Sequence, residues 1–183
     1  REIAGGIAVD VTQRRVCIVT QQGSHDIDLV CWLFGAPAGV VARVGTFAHT
    51  GIDVEDHGAA ILDLPDGCII SVVASTVAKP GFTPRIDVLT ERGSFSMEDD
   101  CIVMWAVDGL DNPGVQPEGE LHSARTVAVT DTSGHEAIIR DFVDAVRTDR
   151  EVLIPGPSAR IATDVILAIY RASEEGRRIS LDM

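Results

Sequence analysis

Residues 20–35 read TQQGSHDIDLVCWLFG, and this stretch decides how the whole chain is interpreted. It ends in a glycine with a proline shortly after, which predicts a helix over about residues 21–34. Gln21 and His25 are four residues apart, and His25 and Asp28 are three apart, so a helix places all three side chains on one side. A histidine between an amide and a carboxylate can be held in one tautomer and can transfer a proton near neutral pH.

The same residues also have plainer interpretations. A lone histidine on a helix is more often a capping or solvated side chain than a catalytic one. A zinc site at His25 would need a third and a fourth ligand that the spacing does not supply, so no metal is expected. Glu55-Asp56-His57 offers metal-ligand types, but a turn leading into a strand explains this run better. A metal-dependent hydrolase using His25 and His57 is therefore kept only as a third hypothesis.

The rest of the chain predicts an α+β fold with an open, mostly antiparallel sheet and about three helices on one face. The second helix is predicted over Gly134–Thr148, with Ser133 and Glu136 as a capping box, and the third over Pro157–Gly176. Between the first and second helices the apolar period changes to two, which is typical of strands. The predicted strands are Val40–Phe47, Ala59–Leu64, Cys68–Thr76, Arg85–Thr90, Ser94–Glu98, Cys101–Val107 and Thr126–Thr130, with a further one at Gly6–Thr12.

Two of these strands, Cys68–Thr76 and Cys101–Val107, are largely apolar on both alternating faces. An antiparallel sheet with one solvated face should alternate cleanly between apolar and polar residues. Three helices can cover only one face, so the other face is expected to pair with a second copy of the chain, as a homodimer or tetramer. Alternatively, the long segment Asp108–Leu121 folds over it.

Length and composition exclude several functional classes. The 183 residues are interpreted as one domain, 1–183, and the net charge of −13 argues against nucleic acid and anionic membranes as partners. The longest uncharged stretch, Leu29–Ala42, is too short to span a bilayer. Four isolated cysteines favour buried free thiols in a reducing, cytoplasmic compartment: Cys17, Cys31, Cys68 and Cys101.

The order of several motifs resembles one known family. The pattern Gly-x-His-x-x-Asp-Leu-x-x-Trp-Leu-x-Gly over Gly23–Gly35 is similar to the C-terminal domain of Gfo/Idh/MocA NAD(P)-dependent oxidoreductases. The likeness continues in order through Leu64–Gly67, Ile86–Ser94, His135–Arg147 and Ala168–Arg177. An ordered series of this length is far more specific than any one motif.

This resemblance implies a substrate-binding and oligomerisation domain that acts beside a Rossmann domain. The chain has no G-x-G-x-x-G sequence, and its one lysine, Lys79, lies in a Pro/Gly-rich loop rather than in the family's Glu-Lys-Pro motif. NAD or NADP is therefore expected to bind mainly to a domain absent from these residues. No cofactor is expected in this chain alone, which by itself should be inactive.

By the same resemblance, His25 matches the histidine that contacts a substrate hydroxyl and assists proton transfer. Gln21 stands where the family most often has Asp, and an amide can orient a hydroxyl but cannot accept its proton. Asp28 would orient His25 or the substrate. The implied function is hydride transfer between NAD(P) and a hydroxyl carbon of a sugar, cyclitol or related polyol. The alternative is a non-catalytic assembly or ligand-binding module that kept the fold without the chemistry.

Overall fold

The structure is a computed structural model that describes residues 2–3, 7–8, 19, 23–49, 51, 53–77, 83–98, 101–115 and 132–182. The predicted fold class is confirmed, since three helices accompany open antiparallel sheets. In chain order the described elements are β1 (Glu2–Ile3), β2 (Ile7–Ala8), α1 (Gly23–Phe34), β3 (Gly39–Gly45), β4 (His57–Asp63), β5 (Ile69–Ser75), β6 (Arg85–Thr90), β7 (Gly93–Glu98), β8 (Cys101–Val107), α2 (Ser133–Thr148), α3 (Gly156–Glu175) and β9 (Ile179–Ser180).

The predicted strand bounds agree with the structure to within two residues. Strands β6 and β8 have the bounds that the sequence predicted, β7 ends at the predicted residue, and the remaining bounds of β3, β4, β5 and β7 differ by one or two positions. The predicted strand Thr126–Thr130 lies outside the described residues. Of the predicted strand Gly6–Thr12, the structure describes Ile7 and Ala8, which form β2.

The capping box predicted at Ser133 and Glu136 is wrong. Helix α2 already begins at Ser133, and its N-cap is Thr132, which makes no side-chain capping hydrogen bond. The Glu136 backbone N–H donates to the Thr132 carbonyl oxygen over 3.0 Å, and the Glu136 carboxylate pairs with Arg140 one turn later. The helix therefore starts one residue earlier than predicted, with Thr132 rather than Ser133 at its N-cap.

The described elements divide between two compact units. The first contains α1, β3, β4, β5, α2, α3 and β9, and its sheet has the antiparallel order β5-β4-β3-β9. The register places Val40 opposite Leu62 and Val41 opposite Ile61. Because side chains alternate across a strand, the first pair faces the core and the second pair faces outward.

Helices α1 and α3 cover one face of this sheet. Ile27 of α1 and Val165 and Ile169 of α3 pack with Val40 and Leu62, and all five side chains are at most 2% exposed. Burying each such side chain stabilises the fold by about 1.5–3 kcal/mol. None of the helices within the described residues has both the length and the apolarity needed to cross a membrane.

The opposite face of the sheet is open, as predicted. The aliphatic side chains on this face are 42–70% exposed, and they come from three neighbouring strands: Val41, Ile61, Ile69 and Val73. Exposed aliphatic residues grouped on one face are more typical of an interaction site than single exposed ones are.

The second unit contains the antiparallel sheet β6-β7-β8 and the short pair β1-β2. The rings of Phe95 and Trp105 lie 5.4 Å apart on neighbouring strands, and the Trp105 indole N–H donates to the Leu110 carbonyl oxygen over 3.4 Å. Gly93 begins β7 with φ of +126°, and a Cβ there would lie 2.0 Å from the Ala106 carbonyl oxygen. Trp105 thus serves the packing of this unit, and Gly93 fits a position that a side chain would block.

Candidate functional site

Helix α1 presents two distinct faces. One face is buried against the core and consists of Gly23, Ile27, Val30 and Cys31. His25, Asp28 and Trp32 are all exposed and lie within a narrow arc on the opposite face, because their spacings are three and four residues. The structure therefore brings together two of the three site residues that the sequence predicted. Gln21, the third, lies outside the described residues.

Hydrogen bonds hold the C-terminal end of α1 and the chain that precedes the helix. At the C-terminal end, the Gly35 N–H donates to the Cys31 carbonyl oxygen over 2.9 Å, and Gly35 has φ of +89°. This left-handed residue ends the helix where the sequence predicted. Before the N-terminal end, Val19 is buried in the core, and its N–H donates to Glu55 over 3.4 Å.

Glu55 is a buried carboxylate whose position the sequence did not reveal. The Tyr170 hydroxyl on α3 donates to the same carboxylate oxygen over 2.5 Å. Glu55 therefore links α3 to the chain just before α1. The two partners are separated by 115 residues, so no local pattern could have identified the contact.

The neighbouring residue, Asp56, organises the turn that precedes β4. Its carboxylate is fully buried and accepts backbone N–H groups from Phe47, Ala48 and His49 over 2.7–2.8 Å. Burial alone would raise the pKa of Asp56, but these donors outweigh it and hold the pKa below its usual range. The interpretation of Glu55-Asp56-His57 as a turn leading into a strand is confirmed. Among the described residues, no group of three or more His, Cys, Asp or Glu could hold a metal ion.

The cysteines are only partly as predicted. Cys31 is a buried free thiol, and burial together with the nearby Asp28 carboxylate raises its pKa to about 11. Such a thiol stays protonated at neutral pH and is a poor nucleophile. Cys68 and Cys101 are free but only half-buried, because Cys68 directly precedes β5 and Cys101 is the first residue of β8, away from the core. Cys17 lies outside the described residues.

The described residues do not fit a bound dinucleotide. Every strand pairing in the described part of the chain is antiparallel. A Rossmann-type site instead needs parallel strands and a glycine-rich loop that places the pyrophosphate at a helix N-terminus. A nicotinamide cofactor would therefore have to be held by residues other than these.

Comparison with known proteins finds a family match over nearly half of the chain. The profile of the GFO/IDH/MocA C-terminal domain matches residues 10–96. Over this region the chain is similar to the GFO/IDH/MocA C-terminal domain, and it has distant homology to inositol dehydrogenases.

Two curated relatives carry the name inositol 2-dehydrogenase 2. The protein of Paenarthrobacter aurescens (strain TC1) is 25% identical over 95 residues, and that of Saccharopolyspora erythraea is 28% identical over 97 residues. These matches cover 50% and 51% of this chain but only 28% of each relative. The matched region is thus a minor part of each complete enzyme.

Among solved structures, the WlbA dehydrogenase from Bordetella pertussis, in complex with NADH and UDP-GlcNAcA, has a TM-score of 0.71 at 24% identity. The alignment covers 90% of this chain and 45% of the WlbA chain. At this identity the likeness establishes the fold. More than half of the WlbA chain has no counterpart in the 183 residues.

Proposed function

We propose that this chain is the substrate-binding and dimerising half of an oxidoreductase. The complete enzyme would transfer hydride between NAD(P) and a hydroxyl-bearing carbon of a sugar, cyclitol or related polyol. The observation that carries the proposal is the exposed pair His25 and Asp28 on α1 of a GFO/IDH/MocA C-terminal domain. The substrate class is supported by relatives named for inositol and by a similar fold solved with NADH and a UDP-sugar.

His25 is the proposed proton-handling residue. In the oxidising direction, its imidazole accepts the proton of the substrate hydroxyl while hydride leaves the carbon that carries this oxygen. Asp28 lies about one helical turn further along the same face, where its carboxylate can orient the imidazole or a second substrate hydroxyl. Gln21 is proposed to orient the reacting hydroxyl through its amide.

The nicotinamide cofactor, NAD or NADP, would be held outside this chain, because the described residues do not fit it. When bound there, it supplies the acceptor or donor of the hydride. The chain's own part is to bind the polyol, to orient it and to move the hydroxyl proton. Alone, it should show no turnover.

The open sheet face is proposed to pair with a second copy, giving a homodimer or, with further contacts, a tetramer. Its exposed aliphatic residues lie on one face of three neighbouring strands, which a two-fold axis could match to itself: Val41, Ile61, Ile69 and Val73. Like charges on two copies, each of net charge −13, oppose this association. Added salt should therefore strengthen it. The described free thiols favour a reducing, cytoplasmic setting.

The test is steady-state kinetics of the complete polypeptide with NAD⁺ or NADP⁺ and a panel of myo-inositol, aldoses and UDP-sugars. His25→Gln should lower kcat by about 10²–10⁴-fold, the range typical of a lost general base. His135→Gln is the matched control, because His135 is also an exposed histidine near a helix N-terminus.

Undiminished turnover in the His25→Gln variant would remove the assigned role. The alternative, a non-catalytic assembly or ligand-binding module, predicts something different. It requires that no reading frame encoding a glycine-rich dinucleotide loop precedes Arg1 and that no member of the substrate panel is oxidised.

A further inference from the structure

The buried Glu55 carboxylate holds the chain immediately before the helix that carries His25. One of its oxygens accepts the Tyr170 hydroxyl over 2.5 Å and the Val19 N–H over 3.4 Å. A hydroxyl-to-carboxylate distance of 2.5 Å is typical of a strong, charge-assisted hydrogen bond. Glu55 is 8% exposed, so water competes little for these contacts. The carboxylate thus connects α3 to a residue four positions before α1 begins, and this connection is called the Glu55 tether below.

The backbone that carries Glu55 is itself fixed by the next residue. The Asp56 N–H donates to the Gly45 carbonyl oxygen over 3.0 Å, and the Asp56 carbonyl oxygen accepts the Thr76 N–H over 3.0 Å. Gly45 is the last residue of β3, and Thr76 directly follows β5. The Glu55 tether therefore starts from a point that two strands of the sheet hold in place.

Apolar packing beneath the first turn of α1 is thin. A small cavity lies between this turn and strands β4 and β5, and its lining includes Gly23, Gly58, Ala60 and Ala74. Glycine and alanine offer few side-chain atoms for van der Waals contact, so these residues hold the turn weakly. From the second turn onward the core holds the helix, since Ile27 is fully buried. The Glu55 tether supplies a constraint at the start of α1 that this thin packing does not.

We propose that Glu55 and Tyr170 are positioning residues for His25, because the Glu55 tether fixes the start of α1. His25 is the third residue of this helix, so a shift of the helix start moves its imidazole relative to a bound substrate. A displacement of about 1 Å at a reacting group can cost about 10²-fold in rate. Both residues act through the position of α1 and not through contact with the substrate. This inference rests on the proposed function, which gives His25 its part in proton transfer.

The first experiment measures steady-state kinetics of the complete polypeptide with NAD⁺ or NADP⁺ and the polyol or sugar that it oxidises. Tyr170→Phe should lower kcat by about tenfold and Glu55→Ala by up to about 10²-fold, because each lets the start of α1 move. The KM for the nicotinamide cofactor should not change with either substitution. Glu55→Gln keeps an oxygen acceptor for both donors and should retain most of the activity.

The matched control is Asp141→Asn. Asp141 also accepts a distant backbone N–H and pairs with a second group, but these contacts hold the segment that follows α2. This variant should lose stability without losing kcat. All variants are assayed at a temperature where circular dichroism shows them to be folded. Equal kcat in Tyr170→Phe and Asp141→Asn would overturn the proposal, and this comparison decides the matter even if Glu55→Ala does not fold.

The second experiment needs no turnover. Amide hydrogen exchange is followed by NMR in the 183-residue chain at Ile27 and Asp28, whose N–H groups donate to carbonyl oxygens of the first turn of α1. Tyr170→Phe should raise the exchange rates at both positions several-fold, because the first turn opens more often. Asp141→Asn should leave these rates unchanged. The proposal is wrong if Tyr170→Phe leaves them unchanged as well.

The two proposals fail in different ways. If His25→Gln abolishes turnover but Tyr170→Phe matches the Asp141→Asn control in both experiments, the positioning role is wrong and the proposed function stands. If the unaltered polypeptide oxidises no polyol or sugar, the proposed function is wrong, and the positioning role for His25 falls with it. Faster exchange in Tyr170→Phe would then leave the Glu55 tether as a purely structural contact.

Discussion

The two helices near the C-terminus, α2 and α3, are both amphipathic, yet only one buries its apolar face. Helix α3 places Val165, Ile166 and Ile169 in the core of the first unit. Helix α2, all of whose residues are described, buries only Ala145. Its apolar stripe is 37–69% exposed and consists of Ile138, Ile139, Phe142, Val143 and Val146.

This difference shows that helical periodicity predicts an apolar face but not what covers it. A helix of 16 residues is only marginally stable in water by its own backbone hydrogen bonds. Helix α3 is stabilised by its core contacts, whereas α2 depends more on polar contacts with the segment that follows it. Asp141, in the middle of α2, accepts the Leu153 N–H over 2.8 Å and pairs with Arg150 at 2.7 Å.

The largest expected effect separates the two helices directly. Ile169→Ala should lower the free energy of unfolding by about 2–5 kcal/mol, because it leaves a cavity in a well-packed core. Ile139→Ala, the matched change on α2, should alter it by less than about 0.5 kcal/mol. Urea denaturation followed by circular dichroism measures both. Equal losses would show that the α2 stripe is covered in the isolated chain.

A smaller loss is expected from the polar anchor of α3. Tyr170→Phe removes the hydroxyl that donates to Glu55 over 2.5 Å. Within the described part of the chain, this leaves the buried carboxylate with one weak hydrogen bond, from the Val19 N–H at 3.4 Å. The free energy of unfolding should fall by about 1–3 kcal/mol. Glu55→Gln keeps an acceptor for the Tyr170 hydroxyl and should lose less. A larger loss for Glu55→Gln than for Tyr170→Phe would contradict this account.

The buried Asp56 carboxylate should contribute to the pH dependence of the free energy of unfolding. Since its folded-state pKa is lowered, Asp56 stabilises the fold above its ordinary pKa of about 3.9. This contribution is lost as the pH falls through the folded-state value. Asp56→Asn should therefore destabilise the protein at neutral pH and flatten the acid limb of a plot of urea midpoint against pH. The control is Asp66→Asn, which makes the same substitution in an exposed turn.

The smallest effect is expected just beyond the end of α3. Arg178 pairs with Asp63 over 2.8 Å while lying across Gly39, where a Cβ would fall 2.0 Å from its guanidinium. Gly39→Ala should displace this flexible side chain and break an exposed ion pair, which lowers the free energy of unfolding by about 1 kcal/mol or less. Arg178→Ala should cost a similar amount. If Gly39→Ala instead proves as damaging as Ile169→Ala, the backbone of β3 must move as well.

Much of the fold could be predicted because its signals are local. The strand bounds follow from alternation over five to seven residues, and the ends of α1 and α3 follow from Gly35 and Gly176, both of which have positive φ. The side shared by His25 and Asp28 follows from helical spacing alone. The capping box failed because the helix takes Thr132 as its N-cap, one residue before the serine, and such a shift is smaller than a sequence pattern resolves.

Contacts between distant residues could not be predicted in the same way. The hydrogen bond between Tyr170 and Glu55 joins residues 115 positions apart, and no sequence pattern around either residue predicts it. Cys68 and Cys101 are half-exposed because they lie where β5 and β8 begin. Trp32 is exposed because the core contacts the opposite face of α1.

By itself, the sequence determined the α+β class, the helices and strands, and the histidine-bearing face of α1, because each depends on neighbours within a few residues. Only the tertiary structure decided that α3 rather than α2 enters the core, that Glu55 and Asp56 serve as buried anchors, and that Trp32 stands exposed beside His25. The physical reason is that burial depends on which surfaces meet, and surfaces that meet here belong to segments far apart along the chain.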